Sequence, residues 1–123
     1  LNQQGIEQSI LLGKIFQDNN ISFDKVYSSQ WCRCIDTAQY AFGEYQELNL
    51  LNSTFSHNYQ KNHLRQMKEL KKLIFNLKED HGNIIFITHY VIIAGLLDYY
   101  PNSGEIVIAD KSLKVLGSIK TSY

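Results

Sequence analysis

The feature that most constrains the fold is a short strand followed at once by a helix, within residues 26–38. The strand ends at Ser28 and Ser29, and hydroxyl residues favour helix N-caps. Apolar residues then recur at helical spacing over residues 31–42, and a glycine follows them. The first amides of this helix and the guanidinium of Arg33 predict a corner suited to an anion. The alternative is an ordinary turn with Arg33 extended into water.

A second corner of the same kind follows the apolar run 84–88, which has strand length and ends at Thr88. His89 comes next, and residues 90–100 have helical character. In a parallel sheet both corners open on the same edge, where ligands of open α/β folds bind. We therefore expect Arg33 and His89 to converge there. A solvated junction histidine is the alternative.

The rest of the chain adds helices at residues 2–18 and 62–80 and a closing hairpin of strands 105–109 and 113–119. The second of these helices has a predicted apolar face, which comprises Leu64, Met67, Leu70 or Lys71, Ile74 and Leu77. Residues 44–61 lack periodicity and predict a surface excursion. It is either a lid, with Phe55 and Tyr59 touching substrate, or a solvated connector.

Composition excludes several classes of function. Twelve basic and twelve acidic residues cancel, which removes the electrostatic case for nucleic acid or for a membrane surface. No apolar stretch approaches the roughly 20 residues of a membrane-spanning helix. Cys32 and Cys34 lie two apart on a predicted helix, so their thiols point to nearly opposite faces and are interpreted as packing residues. The length indicates a single domain, residues 1–123.

The pattern Ser28-Ser29-x-x-x-Arg33-x-x-x-Thr37-Ala38, with the later strand ending Thr88-His89, resembles the histidine phosphatase (phosphoglycerate mutase-like) superfamily. Residues 1–8 resemble the segment that follows the family's catalytic motif and starts its first helix. The resemblance implies an α/β fold, a three-layer α/β/α sandwich with a mainly parallel sheet.

The resemblance also implies a site. Arg33 and His89 would be catalytic, with Arg33 holding a phosphate oxygen and His89 stabilising charge on the transferring group. Four neighbours would bind substrate: Ser28, Ser29, Thr88 and Tyr90. No metal or organic cofactor is implied, and the expected partner is a phosphate-bearing small molecule or phosphoprotein.

The sequence departs from the family at the nucleophile, which is the histidine of an Arg-His-Gly motif on the first strand. No residue here corresponds to it, and His57, His63 and His81 do not follow a strand. We therefore expect a domain without its N-terminal strand, and a phosphatase that is inactive as this chain stands. The alternative is a non-catalytic phosphate-binding or interaction domain of the same fold.

Two further expectations follow from the resemblance. The general acid is unassigned, with Glu44, Glu47 and Glu105 as candidates. The absent strand predicts open ladder edges beside Val26 and Ile85, and so a homodimer or strand exchange. No signal peptide is visible, which indicates a cytoplasmic location by default or a periplasmic one if a leader was removed.

Overall fold

The structure is a computed structural model that describes residues 1–54, 59–77 and 82–121, with only the backbone at residues 59 and 60. Within these ranges helices and strands alternate, as the sequence predicts. The helices are Gln3–Asp18 (α1), Cys32–Phe42 (α2), Tyr59–Phe75 (α3) and Tyr90–Leu97 (α4). The strands are Phe23–Ser28 (β1), Gln46–Glu47 (β2), Asn83–Ile87 (β3), Glu105–Ala109 (β4) and Val115–Lys120 (β5).

The main sheet contains three parallel strands, with β1 between β2 and β3. This confirms a mainly parallel sheet. Because parallel strands end at the same edge, the turns after β1 and β3 open side by side. The predicted hairpin also forms, since β4 and β5 pair antiparallel, but they make a separate two-stranded sheet.

The expectation of open ladder edges is wrong for Val26 and is confirmed on one side of Ile85. The two residues are register partners in the β1–β3 ladder, and β1 lies between two strands, because backbone donors and acceptors pair wherever a partner strand is within reach. Strand β3, in contrast, ends this sheet, so its side away from β1 has no partner strand among the residues that the structure describes. Strand exchange at this edge and a homodimer both stay predictions.

Two helix pairs pack around the main sheet, as expected for an α/β/α sandwich. Helix α1 packs on α2, and α3 packs on α4. The largest buried cluster lies between the second pair and the sheet, where Tyr27 and Phe86 stack at 5.6 Å between ring centroids. Its buried members are Leu51, Met67, Leu70, Ile74 and Ile92. No helix within the described ranges is both long and apolar enough to cross a membrane.

Helix α3 differs from its prediction at two residues of the expected apolar face, of which Leu77 lies beyond the end of the helix at Phe75. Leu64 was expected inside but is 71% exposed, whereas the neighbouring His63 is buried. His63 Nδ1 lies 2.8 Å from Thr54 Oγ1, and its ring packs against Gly95 of α4. A glycine opposite the imidazole leaves room for it, and this tertiary fit selects which side chain faces inward.

The predicted surface excursion is wrong over residues 44–54. Strand β2 extends the sheet there, and a 3₁₀ turn at Asn49–Leu51 leaves Leu51 only 1% exposed. Apolar burial of Leu51 against α3 therefore outweighs the polar composition of the segment. Phe55 and the side chain of Tyr59, proposed for a lid, lie outside the described residues.

Candidate functional site

The corner between β1 and α2 is tied together by its own serines. Ser28 Oγ donates to the carbonyl of Ser29 at 2.8 Å, and the Ser29 amide donates to Ile87 O at 2.9 Å. The predicted serine N-cap is wrong, because Trp31 occupies that position without a side-chain cap bond. Both serines are fully buried, and the Ser28 hydroxyl bonds within the turn. Ser28 therefore shapes the corner.

The corner between β3 and α4 lies directly against the first one. Thr88 Oγ1 donates to Leu51 O at 2.6 Å, which ties the end of β3 to the 3₁₀ turn. His89 is the N-cap of α4 and makes no side-chain cap bond. Its Nε2 lies 2.8 Å from Ser29 Oγ. The two predicted corners therefore meet through a side-chain hydrogen bond.

Arg33 is exposed in the first turn of α2, and its charge affects His89 at the other corner. Burial lowers the pKa of His89, and the nearby Arg33 guanidinium lowers that pKa further. Both effects disfavour the imidazolium, so His89 is mainly neutral at neutral pH. A neutral imidazole offers one N–H donor and one lone pair. The exposed cation and this imidazole can therefore act on one anion from two directions.

Exposed aromatic residues lie at both corners, and one of their rings contacts the imidazole. The Trp31 ring meets the His89 ring edge to face, with centroids 4.7 Å apart. Tyr90 is 56% exposed, and its ring lies 6.3 Å from that of Tyr100. The sequence analysis included Tyr90 but treated Trp31 only as a helix start. The signal that could have identified Trp31 as a site residue is its position directly after the turn.

Asn52 is the site residue that sequence reasoning missed. Its Oδ1 accepts hydrogen bonds from Ser29 Oγ at 3.1 Å and from the Gln30 amide at 2.8 Å. Its Nδ2 donates to Gln30 Oε1 at 2.9 Å. No local pattern marks an asparagine in a polar segment as a partner of a distant turn, so only the fold identifies it.

The two cysteines were interpreted as packing residues, which is wrong for Cys32, because it is exposed, whereas Cys34 is buried. Cys34 Sγ lies 3.8 Å from His89 Nε2 and from Thr88 O. Burial raises the pKa of the Cys34 thiol, so the reactive thiolate is disfavoured. The structure therefore supports a packing role for Cys34.

The acidic candidates occupy different places. Glu47 is the register partner of Ser28, so it lies at the edge of the sheet where the corners open. Glu105 lies in the hairpin sheet, where Tyr99 OH and the Asn102 amide donate to its carboxylate. These hydrogen bonds lower the pKa of Glu105 to about 2, which makes it a poor proton donor. Glu44 is exposed between α2 and β2.

Metal binding has no support among the residues that the structure describes. Over those ranges, no three histidine, cysteine, aspartate or glutamate side chains lie close enough to share an ion. The positive charge at the described site comes from Arg33. The arrangement can bind an anion with side chains and helix amides.

Comparison with known proteins agrees with this geometry. The model of the family "Histidine phosphatase superfamily (branch 1)" matches residues 1–52, which contain the first corner and Asn52. The chain has the fold of TTHB049 from Thermus thermophilus, with a TM-score of 0.69 and 16% identity over 98% of this chain and 84% of that one. It is equally similar to the protein histidine phosphatase SixA complexed with tungstate, with a TM-score of 0.69, 16% identity and 98% and 83% coverage.

No curated protein sequence matches the chain significantly. The match to the family model covers the first 52 residues, and the two solved structures show that the fold is shared.

Proposed function

We propose that the chain is a phosphatase domain that holds a phosphoryl group between Arg33 and His89. The reaction would hydrolyse a phosphomonoester or a phosphorylated side chain through a phosphohistidine intermediate. The observation that supports this most is the convergence of the two corners, where His89 Nε2 lies 2.8 Å from Ser29 Oγ.

The geometry suits the charge of a phosphoryl group in transfer. The Arg33 guanidinium can bind two phosphate oxygens at once. The neutral His89 ring can donate one hydrogen bond to a third oxygen. Neither N-cap side chain of α2 or α4 bonds a first-turn amide, so both helix ends keep donors for an anion. Fixed donors around the equatorial oxygens are what phosphoryl transfer requires.

The exposed aromatic rim favours a substrate with a body beyond its phosphate. Trp31 presents its ring beside the imidazole, Tyr90 is the exposed residue that follows His89, and rings of this kind commonly contact peptides. SixA, which shares the fold, is described as a protein histidine phosphatase. A phosphorylated protein side chain is therefore the substrate class we test first, with a small phosphomonoester second.

The nucleophile is the part of the reaction that the described residues do not supply. His63 is buried against α4, and His89 acts as the stabilising donor in this proposal. His57 and His81 lie outside the described residues. Because loss of the nucleophile removes the covalent route, we expect the 123-residue chain to bind phosphate weakly and to hydrolyse it slowly or not at all.

A second candidate is a non-catalytic phosphate-binding or interaction domain. The histidines favour it, because His89 is the only histidine among the described residues that follows a strand, and its proposed role is that of a stabilising donor. No described residue is then left to act as the nucleophile. Such a domain would keep the contacts of Arg33 and His89 with phosphate and lack turnover.

The first experiment measures binding of inorganic phosphate and tungstate to the whole chain by NMR titration. We expect shifts at His89 and Arg33, and roughly tenfold weaker binding in Arg33→Ala, since a charged hydrogen bond contributes about 1.5–3 kcal/mol. Arg65→Ala is the matched control, because Arg65 is also exposed but lies on α3 and contacts Asn62. Equal loss in both variants, or no shift at His89, would contradict both candidate functions.

The second experiment separates the two candidates. A phosphohistidine peptide and an aryl phosphate are incubated with the chain, and release of phosphate is followed over many turnovers. Turnover that Arg33→Ala abolishes supports the phosphatase, whereas binding without turnover supports the non-catalytic domain. Steady turnover that His89→Ala abolishes, with a phosphoenzyme trapped on His89, would show that His89 is itself the nucleophile.

A further inference from the structure

The side chain of Asn52 reaches His89 only through Ser29, in a chain of hydrogen bonds that joins three segments of the sequence. We propose that Asn52 is a positioning residue that holds His89, through Ser29, in the tautomer with the proton on Nε2. The tautomer of His89 depends on which of the hydrogen-bonded groups can donate a proton.

The orientation of the Asn52 amide is determined by a backbone group. The Gln30 amide N–H can only donate, so the Asn52 atom 2.8 Å from it is the oxygen. The opposite end of the same side chain donates from Nδ2 to Gln30 Oε1 at 2.9 Å. Two contacts with one residue therefore point Oδ1 at the turn.

The Ser29 hydroxyl has one proton, and Asn52 determines where it goes. Asn52 Oδ1, at 3.1 Å, carries no proton and accepts that of Ser29. The Trp31 amide donates to Ser29 Oγ at 3.2 Å. The hydroxyl oxygen is then left with a lone pair toward His89 Nε2 at 2.8 Å. A short contact of this kind is a hydrogen bond only if Nε2 carries the proton.

Helix α3 holds Asn52 in place. Gln66 Nε2 donates to the backbone carbonyls of Leu50 and Asn52, each at 2.7 Å. Ser29 is fully buried, so water does not compete for its hydroxyl. The hydrogen bonds that join Asn52, Ser29 and His89 therefore involve groups with little freedom to rearrange.

The consequence for ligand binding depends on the proposed function. With the proton on Nε2, that nitrogen is a donor that a phosphate oxygen can accept in place of Ser29. With the proton on Nδ1, the same position would present a lone pair, which repels an anion. Asn52 thus acts on phosphate without touching it.

The test reads the tautomer directly. In the whole chain labelled with ¹⁵N at histidine, long-range proton–nitrogen correlation shows which ring nitrogen of neutral His89 carries the proton. We expect the Nε2–H form to dominate in the natural sequence. Asn52→Ala frees the Ser29 hydroxyl to donate to Nε2, and we expect a roughly tenfold rise in the Nδ1–H population, the equivalent of one hydrogen bond.

Matched variants distinguish positioning from general disruption. Asn52→Asp keeps an acceptor for Ser29 and is expected to keep the Nε2–H form. Asn49→Ala alters an exposed residue of the same 3₁₀ turn and should leave the tautomer unchanged. Ser29→Ala removes the acceptor itself, and it replaces Asn52→Ala as the test if the latter does not fold.

A dominant Nδ1–H form in the natural sequence would overturn the proposal. So would an unchanged tautomer in folded Asn52→Ala. Titration of the same samples with inorganic phosphate tests the underlying function separately. If phosphate fails to bind the natural sequence, the proposed function fails, while the tautomer populations still decide the role of Asn52.

Discussion

The two corners of the site are built from the same parts but differ in rigidity. In the corner after β1, Ser28 and Ser29 are fully buried, and their hydroxyls bond the carbonyl of Ser29 and the side chain of Asn52. In the corner after β3, His89 is half-buried and Tyr90 is exposed. The imidazole thus lies on the more exposed corner and contacts Ser29 of the more buried one. Because Ser29 is buried and His89 is not, the imidazole can be accessible while it is held in one orientation.

The helices that follow the corners repeat this difference. A Cβ on Gly13 of α1 would lie 2.1 Å from the backbone oxygen of Ala41 in α2. A Cβ on Gly95 of α4 would lie 2.3 Å from Nε2 of the His63 side chain in α3. Backbone cannot move aside cheaply, whereas a side chain can rotate. We therefore expect the α1–α2 contact to be the stiffer of the two.

Gly13→Ala should give the largest effect. Alanine favours the helix by about 1 kcal/mol, but overlap with backbone costs more, and we expect a net loss of roughly 2–3 kcal/mol in the free energy of unfolding. Denaturant unfolding measures it. Gly117→Ala is the control, since no atom lies within 4 Å of its added Cβ, and should change stability by about 0.5 kcal/mol or less.

Gly95→Ala should cost less, about 1 kcal/mol net, because His63 can turn away at the expense of its bond to Thr54. The same denaturant measurement applies. In a His63→Ala background the obstacle is gone, so adding Gly95→Ala should cost nothing. A larger loss for Gly95→Ala than for Gly13→Ala would reverse the order of stiffness proposed above.

Thr88→Val tests the bond that anchors the more exposed corner. The change keeps the shape of the side chain but leaves Leu51 O without its 2.6 Å donor, so we expect a loss of about 1 kcal/mol in unfolding free energy. Thr37→Val is the control. Thr37 Oγ1 bonds only the carbonyl of Arg33 within its own helix, so its loss should be smaller. Equal losses of unfolding free energy in the two variants would show that the hydrogen bond from Thr88 to Leu51 adds no more stability than the one within α2.

The titration of His89 should show the smallest effect. Burial, and then Arg33, lower its pKa, so its NMR midpoint should lie below that of an unfolded histidine. Arg33→Ala should raise the midpoint only part of the way, because burial remains, and Arg65→Ala should leave it unchanged. Full recovery in Arg33→Ala would show that charge outweighs burial.

The same shift has a consequence for stability. Between the lowered pKa and the ordinary pKa of histidine, the unfolded state binds more protons than the folded state. The contribution of His89 is therefore fully present above the ordinary value and is lost as pH falls through the lowered one. His89→Gln should reduce the dependence of unfolding free energy on pH in that window. An unchanged slope would contradict this sign.

Local periodicity was sufficient for most of the elements. The helix stop at Gly43, for example, follows from a residue that accepts a φ of 80°. Prediction was wrong where a local pattern competed with tertiary packing. Leu64 fits the apolar period of α3, yet His63 is buried because Gly95 makes room for it.

By itself the sequence determined that Arg33 and His89 each follow a strand and begin a helix, because strand and helix periods are properties of neighbouring residues. Only the tertiary structure decided that β1 pairs directly with β3 and that Asn52 orients Ser29. The physical reason is separation along the chain. A hydrogen bond between residues 29 and 52, or 29 and 89, depends on where the folded backbone carries them, and no local pattern contains that information.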